Sequence, residues 1–195
     1  MRSVKLVLIV TAALAVASCA TQEMSLPVAK PDVKYGKAIA ESDIAPWNID
    51  VRTPDGAGLP AGRGAVAEGK AVYEAKCTVC HGAEAKGGPV FGAMVGGIGS
   101  FKTNARVLTP GSMYPYAPIL FDYIRRAMPM DKPQSLTVNE VYAVSAYILQ
   151  LNGLVPADAV MDQNSLTRVQ MPNRDGFIID DRPDTQAVRC MINCK

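Results

Sequence analysis

The segment "AKCTVCHG", Ala75 to Gly82, sets two thiols, Cys77 and Cys80, three residues apart, with the only histidine of the chain, His81, directly behind them. Three chemistries use that cysteine spacing: a zinc site, a redox dithiol and covalent haem attachment. A closed zinc site takes four ligands. Here it would have to draw on Cys190 and Cys194 near the C-terminus, and it would leave His81 idle. A thioredoxin-like dithiol sits beside a βαβ pattern, and nothing before "AVYEAKCTVCHG" reads as a strand.

C-x-x-C-H fits c-type haem attachment on its own terms. The two-residue gap lets both sulfurs reach the vinyl groups on one porphyrin edge, and His81 then falls under the iron as the proximal ligand. The residues thus predict one covalently attached haem c on Cys77 and Cys80. With no second histidine in the chain, the opposite axial position goes to a methionine or stays open. The methionines beyond the N-terminal region are Met94, Met113, Met128, Met130, Met161, Met171 and Met191.

Three helices are expected to position these groups. "GRGAVAEGKAVYEAKC" leads into the motif, with Gly69 and Tyr73 four apart on one face. "APILFDYIRRA", Ala117 to Ala127, repeats Leu120, Tyr123, Ile124 and Ala127 at helical spacing. Pro129 ends it and biases Met128 away from helical geometry. "TVNEVYAVSAYILQLNG" opens on a Thr137/Glu140 capping box, carries Val141, Val144, Ile148 and Leu151 as a stripe, and closes at Gly153. The Gly- and Pro-rich stretch between motif and second helix has no sustained period. An irregular segment of that length is usually functional, and a haem is the apolar object it would wrap. No sheet is predicted. The expected fold class is mainly α around one covalent haem, with irregular N- and C-terminal extensions.

At the N-terminus, "MRSVKLVLIVTAALAVASCA" has early positive charges, a short apolar run and small residues leading to Cys19, the pattern of a secretory signal. "VASC" resembles a bacterial lipobox, which implies lipid on Cys19 and a protein tethered to the periplasmic side of a membrane without crossing it. Cleavage just after Cys19 would instead leave a soluble periplasmic protein. The net charge of +2 (20 − 18) is contributed by Arg2 and Lys5, so the remaining side chains sum to zero. No basic run tracks a phosphate backbone, and nucleic acid is not an expected partner. In an oxidising compartment Cys190 and Cys194 are a candidate disulfide closing a small loop.

From Gly64 to Gly153 the chain resembles the class I cytochromes c, in which a glycine and an aromatic on an N-terminal helix meet a C-terminal helix. Gly69, Tyr73 and Tyr147 match that pattern. The resemblance implies that the carbonyl of Pro89, in "GGPVFG", orients the His81 ring, and that Met128, in "RRAMP", is the sulfur ligand. Met130 is the fallback ligand and Met113 a more distant one. The flanks, "DIAPWNIDVRTPDGAGLPAGRG" and "MPNRDGFIIDDRPD" among them, are similar to the cytochrome subunits of sulfane and sulfite dehydrogenases. There a molybdenum subunit oxidises sulfur and the cytochrome removes the electrons. Some of those subunits carry two haems, whereas this chain has a single C-x-x-C-H.

The resulting organisation is 1–18 signal, 19–63 tether and N-terminal extension, 64–153 cytochrome domain and 154–195 C-terminal extension. The expected role is a single-electron carrier, not catalytic alone, between a dehydrogenase and a downstream acceptor. The alternatives are a carrier for another dehydrogenase, or a gas sensor or small-oxidant reductase if the sixth iron position is open. Trp47 is expected to pin the N-terminal extension on the core. Arg125 and Arg126 are read as a propionate or docking pair, or as a solvated helix face.

Overall fold

The computed structural model describes residues 36–53 and 55–180. The signal segment, Cys19, Cys190, Cys194 and Met191 lie outside the described residues. The described residues from Glu41 onward belong to one compact unit. Its elements are α1 (Glu41–Ile44), β1 (Arg63–Ala65), α2 (Val66–Lys76), α3 (Thr78–His81), α4 (Pro110–Met113), α5 (Pro118–Ala127), α6 (Val138–Leu151) and β2 (Val160–Asp162). Short 3-10 turns lie at Ala83–Ala85, Ser100–Lys102 and Leu166–Arg168. The fold is mainly helical, as expected.

Helix α6 is the axis of the unit. It starts where the sequence predicts: Thr137 Oγ1 accepts the Glu140 N–H at 3.2 Å, and Glu140 Oε2 accepts the Thr137 N–H at 2.8 Å. The apolar stripe predicts one covered face, yet every residue from Val141 to Leu149 is buried. Four elements explain the difference, since α2, β1, α5 and β2 all pack on α6. A helix covered on all sides loses the need for a polar face. Its buried serine, Ser145, donates back to the Val141 carbonyl at 2.7 Å.

The closest approach is made by glycine. A Cβ on Gly69 would stand 1.8 Å from the Ala143 carbonyl oxygen and 2.9 Å from Tyr147 Cβ, so α2 and α6 cross backbone to backbone there. One turn further along α2, the rings of Tyr73 and Tyr147 meet at 5.5 Å. The glycine–aromatic pair read from the sequence therefore sits at the crossing.

A two-stranded antiparallel sheet, in which Arg63 pairs with Asp162 and Ala65 with Val160, was not expected. Strands of three residues are too short to show an alternating pattern. The pairing draws the segment after α6 onto the domain, and Met161, Leu166, Val169 and Met171 join the core. The stretch expected as an irregular extension thus contributes side chains to the core as far as Met171.

The N-terminal segment is fastened by polar groups. The Tyr142 hydroxyl donates to the Pro60 carbonyl at 2.9 Å. Arg125 Nη1 donates to the Ile49 carbonyl at 3.5 Å, and Arg126 bridges Asp122 at 2.8 Å and Asp50 at 3.0 Å. Trp47 is 78% exposed, so it does not pin the extension as expected. The two arginines of α5 hold it instead, which also gives them a role beyond a solvated face.

Lys76 at the end of α2 meets Glu140 in the first turn of α6, Nζ to Oε1 at 2.6 Å. That bond, followed by the N–H of Thr137, holds the Glu140 carboxyl below its ordinary range. A carboxylate with a lowered folded pKa adds stability above its ordinary pKa and loses it as pH falls through the lowered one. Glu140→Gln should therefore lower Tm at pH 7, and the gap from the parent should close below about pH 4. Thermal melts across pH read this directly.

Candidate haem site

Helix α2 delivers the motif and its own tyrosine fixes it. The Tyr73 hydroxyl donates to the Gly82 carbonyl at 2.9 Å, and the Thr78 hydroxyl donates to the Tyr73 carbonyl at 3.3 Å. The chain then turns at Gly82, whose φ is +73° and where a Cβ would lie 1.9 Å from the Gly87 carbonyl oxygen. Only glycine satisfies both conditions.

The motif faces a cavity of about 740 Å³. Cys77, Cys80 and His81 form one wall, and Met128, Pro129 and Met130 line it from the segment after α5. Ile124 of α5 and Val144 and Ile148 of α6 make an apolar wall, with Leu136, Val79, Phe91 and Met94 completing it. Lys76, Asp131 and Lys132 supply the charge on its lining. Met128 is half-buried and caps α5 in an extended conformation, its N–H bonded to the Ile124 carbonyl. The helix therefore stops where Pro129 requires, and Met128 lines the same cavity as His81.

Burial pushes the Cys77 thiol up to about 11 and lowers the His81 imidazole below its ordinary value. The neutral ring is the form that binds a metal.

The chain is 37% identical to a chain in the crystal structure of the sulfane dehydrogenase SoxCD from Paracoccus pantotrophus. That likeness covers 84% of this chain and 82% of the other, with a TM-score of 0.71. The cytochrome c family model matches residues 66–152. The chain belongs to the cytochrome c family. No curated protein matches it. Membership implies a covalently bound haem c, and the cavity of this cytochrome suits one. It lies within the range of cofactor pockets, about 300–1,000 Å³. Two thiols, an imidazole and three thioethers share an otherwise mostly apolar surface.

Among the described residues the cavity sorts the methionines. Met128 and the fallback Met130 both line it, Met130 being 61% exposed. Met113 does not, and its carbonyl is taken by Asn173 Nδ2 at 2.8 Å. Met161 and Met171 are buried in the core.

The expected bond from Pro89 to His81 is absent. Pro89 is exposed, and His81 Nδ1 is buried without a hydrogen-bond partner. The loop folds back instead: the Phe91 N–H donates to the Cys80 carbonyl at 3.3 Å, and the Gly88 N–H to the Phe91 carbonyl at 2.9 Å. This brings the Phe91 ring against the imidazole, with centroids 5.2 Å apart. Phe91 was missed by sequence reasoning and Met94 stood there only as one of seven methionines, because the irregular loop gives no period by which to tell an inward residue from an outward one.

Proposed function

We propose that the chain is a monohaem c-type electron carrier that serves as the electron-accepting subunit of a sulfur-compound dehydrogenase. Cys77 and Cys80 would hold the haem covalently as thioethers, and His81 and Met128 would ligate its iron. The convergence of all four side chains on one cavity carries this assignment. The bound haem supplies one-electron exchange between ferric and ferrous iron. The protein's part is to hold both axial ligands, keep water from the iron with Ile124, Val144 and Ile148, and leave an edge accessible. Val79 and Met130, at 76% and 61% exposure, both line the cavity where it reaches the surface. A haem held by both His81 and Met128 would leave no iron position for a substrate and would exchange electrons only at its edge. Methionine as the second ligand raises the potential, which suits an acceptor.

The partner reading rests on the extent of likeness. The cytochrome c family model spans residues 66–152, whereas the similarity to the sulfane dehydrogenase chain runs through 84% of this chain. A molybdenum-containing dehydrogenase is then the electron donor, with a further carrier downstream. We place the protein on the periplasmic side of a bacterial membrane, tethered through Cys19 or released as a soluble form.

The protein made in a host that matures c-type cytochromes should gain the mass of one haem, resistant to acid extraction, and Cys77→Ala/Cys80→Ala should gain none. A molybdenum sulfane dehydrogenase given its sulfur substrate should reduce the oxidised protein. Failure of that reduction, with haem attached, would remove the dehydrogenase assignment and leave the carrier.

A further inference from the structure

The loop that walls the haem cavity is fastened at Met94 from both sides. The Met94 N–H donates to the Ala85 carbonyl at 2.8 Å, four residues beyond His81. Its carbonyl accepts from Asn152 Nδ2 at 3.0 Å, at the far end of α6. The same Nδ2 donates to the Ile148 carbonyl at 2.9 Å, and Oδ1 accepts the Gly96 N–H at 3.2 Å. Asn152 thus uses its donors and its acceptor together, at 8% exposure. Gly96 is held a second time, its carbonyl taken by the Thr109 hydroxyl at 2.7 Å. Gly111 closes over the amide, since a Cβ there would meet Asn152 Oδ1 at 2.6 Å.

Capping the end of α6 needs none of the bonds to Met94 and Gly96. The helix ends on its own backbone bonds, with the Asn152 N–H on the Ile148 carbonyl and the Gly153 N–H on that of Gln150. What the amide adds is a fixed distance between that helix and a residue of the cavity wall.

We propose that Asn152 is a positioning residue for the haem, acting through Met94. It holds the Met94 side chain in the cavity wall, where a flexible thioether would otherwise leave the surface open to water. The apolar shell around a metal site controls solvent access and so the potential and ligand stability. This inference rests on the haem reading proposed above.

The test compares reduction potentials of the holoprotein and its variants. Asn152→Leu keeps the branched shape with slightly larger ends and removes all three bonds, while Asn152→Asp keeps the acceptor for Gly96 and loses the donors to Met94 and Ile148. Both should favour the oxidised form by about tenfold against a fixed redox couple, which for one electron is 59 mV. Met94→Ala should give a shift of the same sign. If Asn152 acts through Met94, Asn152→Leu/Met94→Ala should be no worse than the larger single change, because coupled sites are not additive. Leu166→Ala, in fully buried core that does not line the cavity, controls for lost stability and should lower Tm with the potential unchanged. An unshifted potential in both Asn152 variants, or additive effects in the double variant, would overturn the role. Should Asn152→Leu yield no holoprotein, Asn152→Asp and Met94→Ala still decide. A parent protein without covalent haem would sink the haem reading and this inference together, whereas a normal parent with unshifted variants sinks only the inference.

Discussion

Gly69→Ala should lower Tm and the yield of haem-loaded protein, although alanine is the better helix former. Propensity alone predicts a gain of about 1 kcal/mol for that change inside a helix. The added methyl would lie 1.8 Å from the Ala143 carbonyl oxygen, a backbone atom that no rotamer change can move away. Helix α2 would have to lift off α6, opening the crossing that brings Tyr73 to Tyr147 and the motif to its cavity. Overpacking of this kind costs roughly 1–3 kcal/mol and sometimes more. At the upper value Tm falls by about 6–12 °C for a domain of this size. Ala143→Gly should not rescue it, because the obstruction is the carbonyl and the Tyr147 Cβ. Thermal melts of parent and variant decide the sign: a raised Tm would mean that the helices do not cross at Gly69.

Met128→Ala should leave the haem attached while changing its chemistry. Cys77 and Cys80, the proposed attachment points, are untouched, so haem content per chain should be unchanged. Under the proposed ligation the iron would lose its sulfur ligand, and the ferrous protein should then bind carbon monoxide to full occupancy where the parent binds none. Its potential should fall, since replacing methionine by water or a nitrogen donor removes the ligand that favours the ferrous state. Met130→Ala is the matched control, with a cavity-lining thioether two residues on that is largely exposed. It should keep both the parent spectrum and the indifference to the gas. The reverse pattern would move the ligand to Met130.

The motif that faces the cavity was legible because its spacing is local. Cys77, Cys80 and His81 lie within five residues, and the structure sets all three on one cavity. The boundaries of α5 and α6 were legible for a similar reason, as Pro129 stops one and the Thr137/Glu140 pair starts the other. What escaped depends on contacts between distant parts. Phe91 and Met94 face the cavity because the Cys80 and Ala85 carbonyls and the Asn152 amide pull their loop inward. Trp47 looked like an anchor by residue type, but two arginines of α5 take that work. The unbroken burial of α6 from Val141 to Leu149 follows from four neighbours, one of them a strand that comes after it in the chain.

The most direct measurement is the optical spectrum of the purified full-length protein, oxidised and then reduced, with carbon monoxide added to the reduced form. A single haem c closed by His81 and Met128 predicts a weak sulfur-to-iron charge-transfer band in the oxidised spectrum and no response to the gas. No such band, together with a clear shift on adding carbon monoxide, would mean an open iron and would contradict the electron-carrier reading.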